Sequence, residues 1–208
     1  PWNKSGPLPI RRVAGVSAWK PESARAFPVS TFPPFLPPRW LRNSHVQTLL
    51  ASRKPRRWNY GWKSFETIAF DLGKDGTVLG EASWQPGRRG DFPLLFLMHG
   101  LEGSAQSHYL IGMSRKAYCA GFHTVRVNTR NCGGTEHLTP TLYCAALSQD
   151  VTAIVRHFRE RMGISRVFAG GVSLGANILL KFLGEQGERG PEFIQGAAVL
   201  SPPIDLKA

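Results

Sequence analysis

The sequence predicts an α/β protein with a mostly parallel sheet, helices on both faces and an antiparallel hairpin at its amino-terminal side. Two observations predict it. From residue 94 onward, short apolar runs alternate with glycine-containing loops and with segments of helical periodicity. Before them, two extended segments flank the turn at residues 73–76, which is typical of a hairpin. With 208 residues, the chain is long enough for one sizeable domain.

The predicted elements follow in chain order. Strands are expected at residues 64–70, 78–84, 94–98, 124–128, 166–170 and 197–200. Helices are expected at residues 107–119, 148–161 and 176–185. The second of these helices has the best support, because its apolar residues repeat at i, i+3, i+4 and i+7 and form one stripe. These residues are Val151, Ile154, Val155 and Phe158.

Residues 1–33 are expected to form a basic, proline-rich and disordered arm, and residues 34–208 the α/β domain. The formal net charge is +12, of which +10 falls on residues 1–66. Such an arm could contact phosphates or an anionic membrane surface, although a solvated arm is the favoured interpretation. No nucleic-acid-binding motif accompanies the basic residues, so no nucleic-acid partner is expected.

The cysteines indicate neither a disulfide framework nor a zinc site. Cys119, Cys132 and Cys144 are odd in number and lack C-x-x-C spacing, so we expect free thiols in a reducing compartment such as the cytoplasm. No apolar run approaches the length of a membrane-spanning helix. Neither a metal ion nor an organic cofactor is expected, and no oligomeric state is favoured.

A Gly-x-Ser-x-Gly motif, made by Gly171, Ser173 and Gly175, lies between a predicted strand and a predicted helix. The motif alone is common by chance, but a strand, a sharp turn and a helix together are typical of a nucleophilic serine. The small residues allow a tight turn that holds the serine in a strained conformation with its hydroxyl exposed. Ser173 is therefore the candidate nucleophile.

A second motif, His99-Gly100, follows directly after the buried strand at residues 94–98. In such folds this loop supplies one backbone N–H to an oxyanion hole, here that of Leu101. The residue after the nucleophile, Leu174, supplies the other. The alternative is that His99 is a packed structural histidine and Gly100 a turn glycine.

The sequence contains no histidine after Ser173; the last one is His157. A catalytic triad built on this strand–turn–helix motif has its acid and its histidine after the serine in the chain. We therefore expect the chain to be a fragment that lacks the last strands and helices of its domain. Its start at Pro1 also suggests a missing front end. Such a fragment is expected to be inactive, and poorly stable because its last strand has an unpaired edge.

Four separated segments resemble the YheT-like branch of the α/β-hydrolase superfamily. They lie at residues 37–48, 99–109, 128–136 and 171–177, and the resemblance spans about residues 34–206. It implies a serine hydrolase acting on carboxylic esters or acylglycerols, or transferring medium-chain acyl groups. Carried over by motif, Ser173 would be the nucleophile and Leu101 and Leu174 the oxyanion amides. The chain departs from the family at Asn131, where glycine is usual.

The sequence therefore predicts a serine carboxylic-ester hydrolase that acts through an acyl-Ser173 intermediate on short- to medium-chain esters or acylglycerols. The main alternative is a non-catalytic α/β-hydrolase scaffold that binds a ligand in the same cleft. A nucleic-acid-binding module built on the basic arm and a Cys132 nucleophile are further, less favoured alternatives.

Overall fold

The computed structural model describes residues 36–53 and 66–205. By its contacts the chain divides into two compact units, Pro1–Lys54 and Pro55–Ala208. The predicted arm at residues 1–33 lies outside the described residues, and its boundary with the domain stays a prediction. In the first unit, helix α1 spans Ser44–Arg53. Asn43 caps it, because its side-chain oxygen accepts the His45 N–H over 2.9 Å.

In the second unit, six strands form one sheet in the order β1-β2-β4-β3-β5-β6. The strands are β1 (Glu66–Asp71), β2 (Thr77–Ser83), β3 (Leu94–Met98), β4 (His123–Val127), β5 (Val167–Val172) and β6 (Gly196–Leu200). β2 runs antiparallel to both β1 and β4. The pairs β3–β4, β3–β5 and β5–β6 are parallel. The predicted hairpin and the mostly parallel sheet are therefore confirmed.

Helices follow the strands in the expected alternation. They are α2 (His108–Cys119), α3 (Ser148–Arg156), α4 (Leu174–Gln186) and the short α5 (Gly190–Phe193). The predicted helix at residues 148–161 widens after Arg156 into one π-helical turn, His157–Arg161. Phe158 lies in this wider turn and is fully buried, with its ring edge-on to that of Phe70 at 5.3 Å. The apolar stripe of the sequence thus continues through the π turn.

The helices cover both faces of the sheet, as predicted. Successive side chains of a strand point to opposite faces, and β4 is buried along its whole length. Val125 and Val127 belong to the apolar cluster that also contains the core residues of α3 and α4. Thr124 and Arg126 point to the other face, where each contacts the hydroxyl of Ser114 on α2. β4 therefore lies in the centre of a three-layer arrangement.

Two element ends near the Gly-x-Ser-x-Gly motif differ from the prediction. β5 continues to Val172 rather than ending at residue 170, and α4 begins at Leu174 rather than at residue 176. β5 is longer because Val172 pairs with Leu200 at the end of β6. The glycines that indicate a loop in the sequence therefore extend the strand, and the turn between strand and helix is reduced to one residue.

Strand β6 forms one edge of the sheet in the part of the chain that the structure describes. It pairs there with β5 alone. Leu200 is 49% exposed and Ile204, just beyond the strand, is 83% exposed. An open strand edge with apolar neighbours is a site for pairing with a further strand.

Candidate active site

Ser173 is the single residue between β5 and α4, and its backbone has φ 52° and ψ −116°. A positive φ is strained for a residue other than glycine. Gly171 and Gly175 allow the close packing around it. A Cβ atom on Gly171 would lie 2.7 Å from the backbone of Ala176, and one on Gly175 would lie 2.5 Å from the carbonyl oxygen of His99. The motif therefore forms the tight, strained turn that the sequence predicts.

Backbone hydrogen bonds hold this turn at the carboxyl end of the sheet. The Ser173 N–H donates to the carbonyl of Leu200 over 2.9 Å, and its carbonyl accepts the Asn177 N–H over 3.0 Å. The Asn177 side chain in turn donates to the Pro203 carbonyl over 2.7 Å. Because the bonds to Leu200 and Pro203 come from the end of β6 and the segment after it, the serine is anchored to two neighbouring parts of the fold. Such anchoring is what can maintain a strained backbone.

The loop after β3 lies directly beside Ser173. The Gly175 N–H donates to the His99 carbonyl over 3.1 Å. A Cβ atom on Gly100 would lie 3.1 Å from the Cβ of Ser173 and 3.7 Å from its Oγ. The two sequence motifs, more than 70 residues apart, are therefore in contact, and a Cβ atom at position 100 would pack tightly against Ser173.

The two predicted oxyanion donors are backbone amides with no protein acceptor among the described residues. Leu174 is the first residue of α4, and the first N–H groups of a helix have no partner within it. Leu101 lies in the loop after β3, with its side chain 69% exposed. Unpaired amides beside a serine can bind a developing negative charge on oxygen. Their roles as oxyanion donors stay a prediction.

His99 is a buried, neutral histidine that holds the loop in place. It is 1% exposed, and its Nε2 accepts the backbone N–H of Thr129 over 3.1 Å. The proton therefore resides on Nδ1, which donates to the Gly100 carbonyl over 2.7 Å. Burial lowers the pKa of His99, against the opposing effect of its hydrogen bond to Gly100. With both nitrogens occupied, His99 supports the loop and cannot act as a base toward Ser173.

No hydrogen bond joins Ser173 to a histidine within residues 66–205. Besides His99, the ring of His123 is occupied at both nitrogens, accepting the Gln85 N–H over 2.9 Å and contacting the Arg89 carbonyl over 3.0 Å. The ring of His157 packs edge-on against Phe70 at 5.1 Å. Within its described part, the structure therefore brings the candidate nucleophile into contact with the loop that carries Leu101, and it shows no complete triad.

A cleft of about 520 Å³ is lined in part by Leu101, while Ser173 and Leu174 are not among its lining residues. One wall comes from the loop after β3 and the other from the loop after β4, which includes Leu142 and Tyr143. Leu101 and Leu142 are exposed apolar side chains at 69% and 75%. Asn131 also lines the cleft and has φ 56°, a conformation that glycine and asparagine both tolerate. The asparagine at this position is therefore compatible with a left-handed backbone conformation.

Cys132 lines the same cleft but is a poor candidate nucleophile. It is 6% exposed, and burial, followed by the carboxylates of Glu136 and Glu102, raises the pKa of its thiol against an opposing hydrogen bond with Thr129. A raised pKa keeps the thiol protonated and unreactive. Cys119, Cys132 and Cys144 are all free. The structure thus gives no support to the Cys132 alternative.

Neither a metal cluster nor a membrane span is found in residues 36–53 and 66–205. Across these ranges, no group of three or more His, Cys, Asp or Glu side chains is arranged to hold a metal ion. None of the helices there combines the length and the apolar character needed to cross a bilayer.

Sequence reasoning missed two tyrosines that contact the loop after β3. The Gly100 N–H donates to the Tyr109 hydroxyl, and the Glu102 N–H donates to the Tyr143 hydroxyl, each over 3.0 Å. Tyr109 lies on α2, within one of the segments that carry the resemblance, whereas Tyr143 lies far along the chain in the loop after β4. No local pattern marks either hydroxyl as a partner of this loop.

Comparison with known proteins identifies the family. A model of the alpha/beta hydrolase fold matches residues 93–208, which is more than half of the chain. The chain is 32% identical over 177 residues to "Embryogenesis-associated protein EMB8" of Picea glauca, covering 80% of this chain and 37% of that protein. It is 29% identical over 178 residues to "Putative esterase YheT" of Escherichia coli (strain K12), covering 84% of this chain and 50% of that protein.

A solved structure shows the same fold at low sequence identity. XC6422 of Xanthomonas campestris, described as an α/β serine hydrolase without lid, superimposes with a TM-score of 0.55 at 17% identity. The match covers 71% of this chain and 65% of XC6422. Of the two curated relatives, the chain spans half the length or less. The chain belongs to the α/β-hydrolase superfamily and is YheT-like.

Proposed function

We propose that the protein carrying this chain is a serine carboxylic-ester hydrolase that acts through an acyl-Ser173 intermediate on short- to medium-chain esters or acylglycerols. One observation carries the proposal: Ser173 is held at a strained φ of 52°, in contact with a loop whose Leu101 amide is unpaired among the described residues. The names of relatives support ester chemistry. They include an esterase, a medium-chain fatty acid ethyl ester synthase/esterase and a monoacylglycerol lipase.

In the proposed reaction, Ser173 Oγ attacks the ester carbonyl carbon while its proton passes to a general base. The carbonyl oxygen becomes an oxyanion, which the amides of Leu101 and Leu174 stabilise by hydrogen bonds. Collapse of the tetrahedral intermediate breaks the bond to the alcohol, which leaves with the proton. A water molecule then attacks the acyl-Ser173 carbonyl by the same steps and releases the carboxylic acid. No metal or organic cofactor takes part.

The general base in this proposal is a histidine outside the 208 residues. Among the described histidines, His99 and His123 have both ring nitrogens in hydrogen bonds, and none bonds to Ser173. The curated relatives are at least twice as long as the matched segment, which leaves room for further catalytic residues. The 208 residues alone are accordingly expected to show no esterase turnover.

The cleft beside Leu101 supports an apolar acyl or alcohol group as the ligand. Its volume of about 520 Å³ lies in the range of small-molecule sites, and the exposed side chains of Leu101 and Leu142 provide apolar surface. The Glu102 and Glu136 carboxylates at the same cleft disfavour anionic esters. Neutral esters are therefore the proposed substrates.

The proposal is tested with the full-length protein and a series of neutral p-nitrophenyl esters of increasing acyl length. Ser173→Ala is expected to abolish hydrolysis. Ser165→Ala is the matched control, because Ser165 is an exposed serine before β5, at the opposite end of that strand, and the variant should keep wild-type turnover. Absence of hydrolysis by the wild type, together with saturable ester binding, would instead support the non-catalytic scaffold.

A further inference from the structure

Three of the four consecutive amides in the turn at residues 100–103 are capped by hydrogen bonds. The Gly100 N–H donates to the Tyr109 hydroxyl and the Glu102 N–H donates to the Tyr143 hydroxyl, each over 3.0 Å. The Gly103 N–H donates to the Gly100 carbonyl over 3.0 Å. Of these four, only the Leu101 amide has no acceptor in the described part of the chain.

The orientation of this free amide is also fixed. The Gly100 carbonyl accepts hydrogen bonds from both the Gly103 N–H and the His99 Nδ1. These two bonds to its oxygen fix the orientation of the peptide plane between Gly100 and Leu101. In a trans peptide the C=O and the N–H point in opposite directions. The Leu101 N–H is therefore directed away from the His99 ring, in a turn whose Gly100 borders Ser173.

The two tyrosines reach this turn from different parts of the fold. Tyr109 lies in the first turn of α2, whereas Tyr143 lies in the loop after β4 and forms part of the cleft wall. Each hydroxyl accepts one amide that neighbours Leu101 in sequence. Without these acceptors, the amides of Gly100 and Glu102 would need other partners, and the turn could rotate to find them.

We propose that Tyr109 and Tyr143 are positioning residues that fix the Leu101 amide as the oxyanion donor of the loop after β3. The inference rests on the proposed ester hydrolysis at Ser173. It adds the reason why the Leu101 amide, and none of the other three in residues 100–103, is available as the donor. An oxyanion hole works because its donors are oriented before the charge develops. Loss of either hydroxyl loosens that orientation without removing the donor.

The kinetic consequence is a decrease in kcat at unchanged KM, because the oxyanion exists only in the transition state and in the tetrahedral intermediate. Removal of an oxyanion donor costs about 10²–10³ in kcat, so we expect about a 10-fold loss from either positioning hydroxyl. A trifluoromethyl ketone, which forms a tetrahedral adduct with the serine, should lose affinity by a similar factor. If the hydroxyls were only structural, their removal would lower stability without this paired loss of kcat and of ketone affinity.

The test compares Tyr109→Phe and Tyr143→Phe with the wild type in the full-length protein. Tyr118→Phe is the matched control, because the Tyr118 hydroxyl donates to the Trp84 carbonyl near the other end of α2. We expect the parallel loss in kcat and in ketone affinity for the first two variants, and wild-type values for the control. Unchanged kcat in both variants, or a loss confined to KM, would overturn the positioning role.

Amide hydrogen exchange provides a readout that does not depend on catalysis. In the wild type, the Leu101 amide should exchange faster than those of Gly100 and Glu102. Tyr109→Phe should accelerate exchange at Gly100 and Tyr143→Phe at Glu102. If the wild type lacks Ser173-dependent turnover, the proposed function fails even where this exchange pattern holds. If turnover is normal and both variants keep it, the positioning role alone fails.

Discussion

The amide of Gly175 donates to the carbonyl of His99 over 3.1 Å, and this bond joins the helix after the candidate nucleophile to the loop after β3. Position 175 leaves no room for a side chain, because an added Cβ would lie 2.5 Å from the His99 carbonyl oxygen and 2.8 Å from that of Met98. The contact holds the loop that carries Leu101 against the helix that follows Ser173.

Gly175→Ala is therefore expected to push α4 away from the loop after β3. The crowding is against backbone atoms, so we expect a loss of about 1–3 kcal/mol in the free energy of unfolding, together with loss of esterase activity. Gly184→Ala is the control in the same helix. Gly184 is exposed, with no atom within 4 Å of its added Cβ, so this variant should gain about 0.5–1 kcal/mol. Urea denaturation measures both, and equal effects would contradict the steric account.

The strain at Ser173 predicts that glycine stabilises this position. A non-glycine residue at φ 52° and ψ −116° costs on the order of 1–3 kcal/mol. Allowing for the greater entropy of an unfolded glycine, Ser173→Gly should be more stable than Ser173→Ala by about 0.5–1 kcal/mol. Ser165→Gly, at a serine without a positive φ, should show no such gain over Ser165→Ala. Thermal unfolding checks the comparison, and a Ser173→Gly variant less stable than Ser173→Ala would rule out stored strain.

The buried His99 and His123 and the half-buried His157 predict a loss of stability in acid. Burial lowers the pKa of His99, His123 and His157 below the ordinary value of 6.5. Between 6.5 and the lower folded-state pKa, the unfolded state binds more protons than the folded state. The contribution of these neutral histidines to the free energy of unfolding is therefore complete above about pH 6.5, and the free energy of unfolding falls as the pH decreases below that value.

Each such histidine contributes a slope of up to about 1.4 kcal/mol per pH unit. Urea unfolding from pH 7.5 to 5.5 measures this slope. His99→Gln should reduce it, because one of the linked protons is removed. A free energy of unfolding that stays constant or rises as the pH falls through this window would contradict the neutral, buried state of His99.

Arg130 and Asp150 predict a large cost when their pairing is broken. Their side chains are 3% and 8% exposed, and the guanidinium donates to both carboxylate oxygens, over 2.8 and 2.5 Å. Arg130→Met leaves a buried carboxylate without its main partner, at a cost of roughly 3–5 kcal/mol in the free energy of unfolding. Adding Asp150→Leu should recover part of that loss.

The exposed pair Arg156–Glu160 serves as the control for Arg130. Both of its side chains are more than 60% exposed, so Arg156→Met should change the free energy of unfolding by less than about 1 kcal/mol. Chemical denaturation of the single and double variants measures the coupling. Similar costs for the buried and the exposed arginine would contradict the account of the buried pair.

Much of the fold could be predicted because local patterns determine it. Strands such as β3 are buried on both faces and appear in the sequence as continuous apolar runs. The turn at Ser173 could be predicted because its close backbone packing leaves no room for side chains at positions 171 and 175, and the sequence has glycine at both. Arg126 could not be assigned in the same way. It lies fully buried in a strand. Its guanidinium donates to the Ala105 carbonyl, the Ser114 hydroxyl and the Glu81 carboxylate, which are all distant in sequence.

The sequence indicates the centre of the candidate site but not the residues that support it. Ser173, Leu101 and Leu174 are indicated by motifs whose backbone geometry is local. Tyr143 caps the Glu102 amide from 41 residues away, and only the folding of the loop after β4 brings it there. The partner of His99 Nε2, Thr129, depends in the same way on the parallel pairing of β3 with β4.

The central claim is that Ser173 is an activated nucleophile, and reaction of the full-length protein with a fluorophosphonate tests it most directly. The reagent phosphonylates an activated serine, and peptide mass spectrometry locates the adduct. The account predicts one stoichiometric adduct on Ser173 and none in Ser173→Ala. A folded full-length protein that remains unlabelled, or whose label persists on another serine in Ser173→Ala, would contradict it.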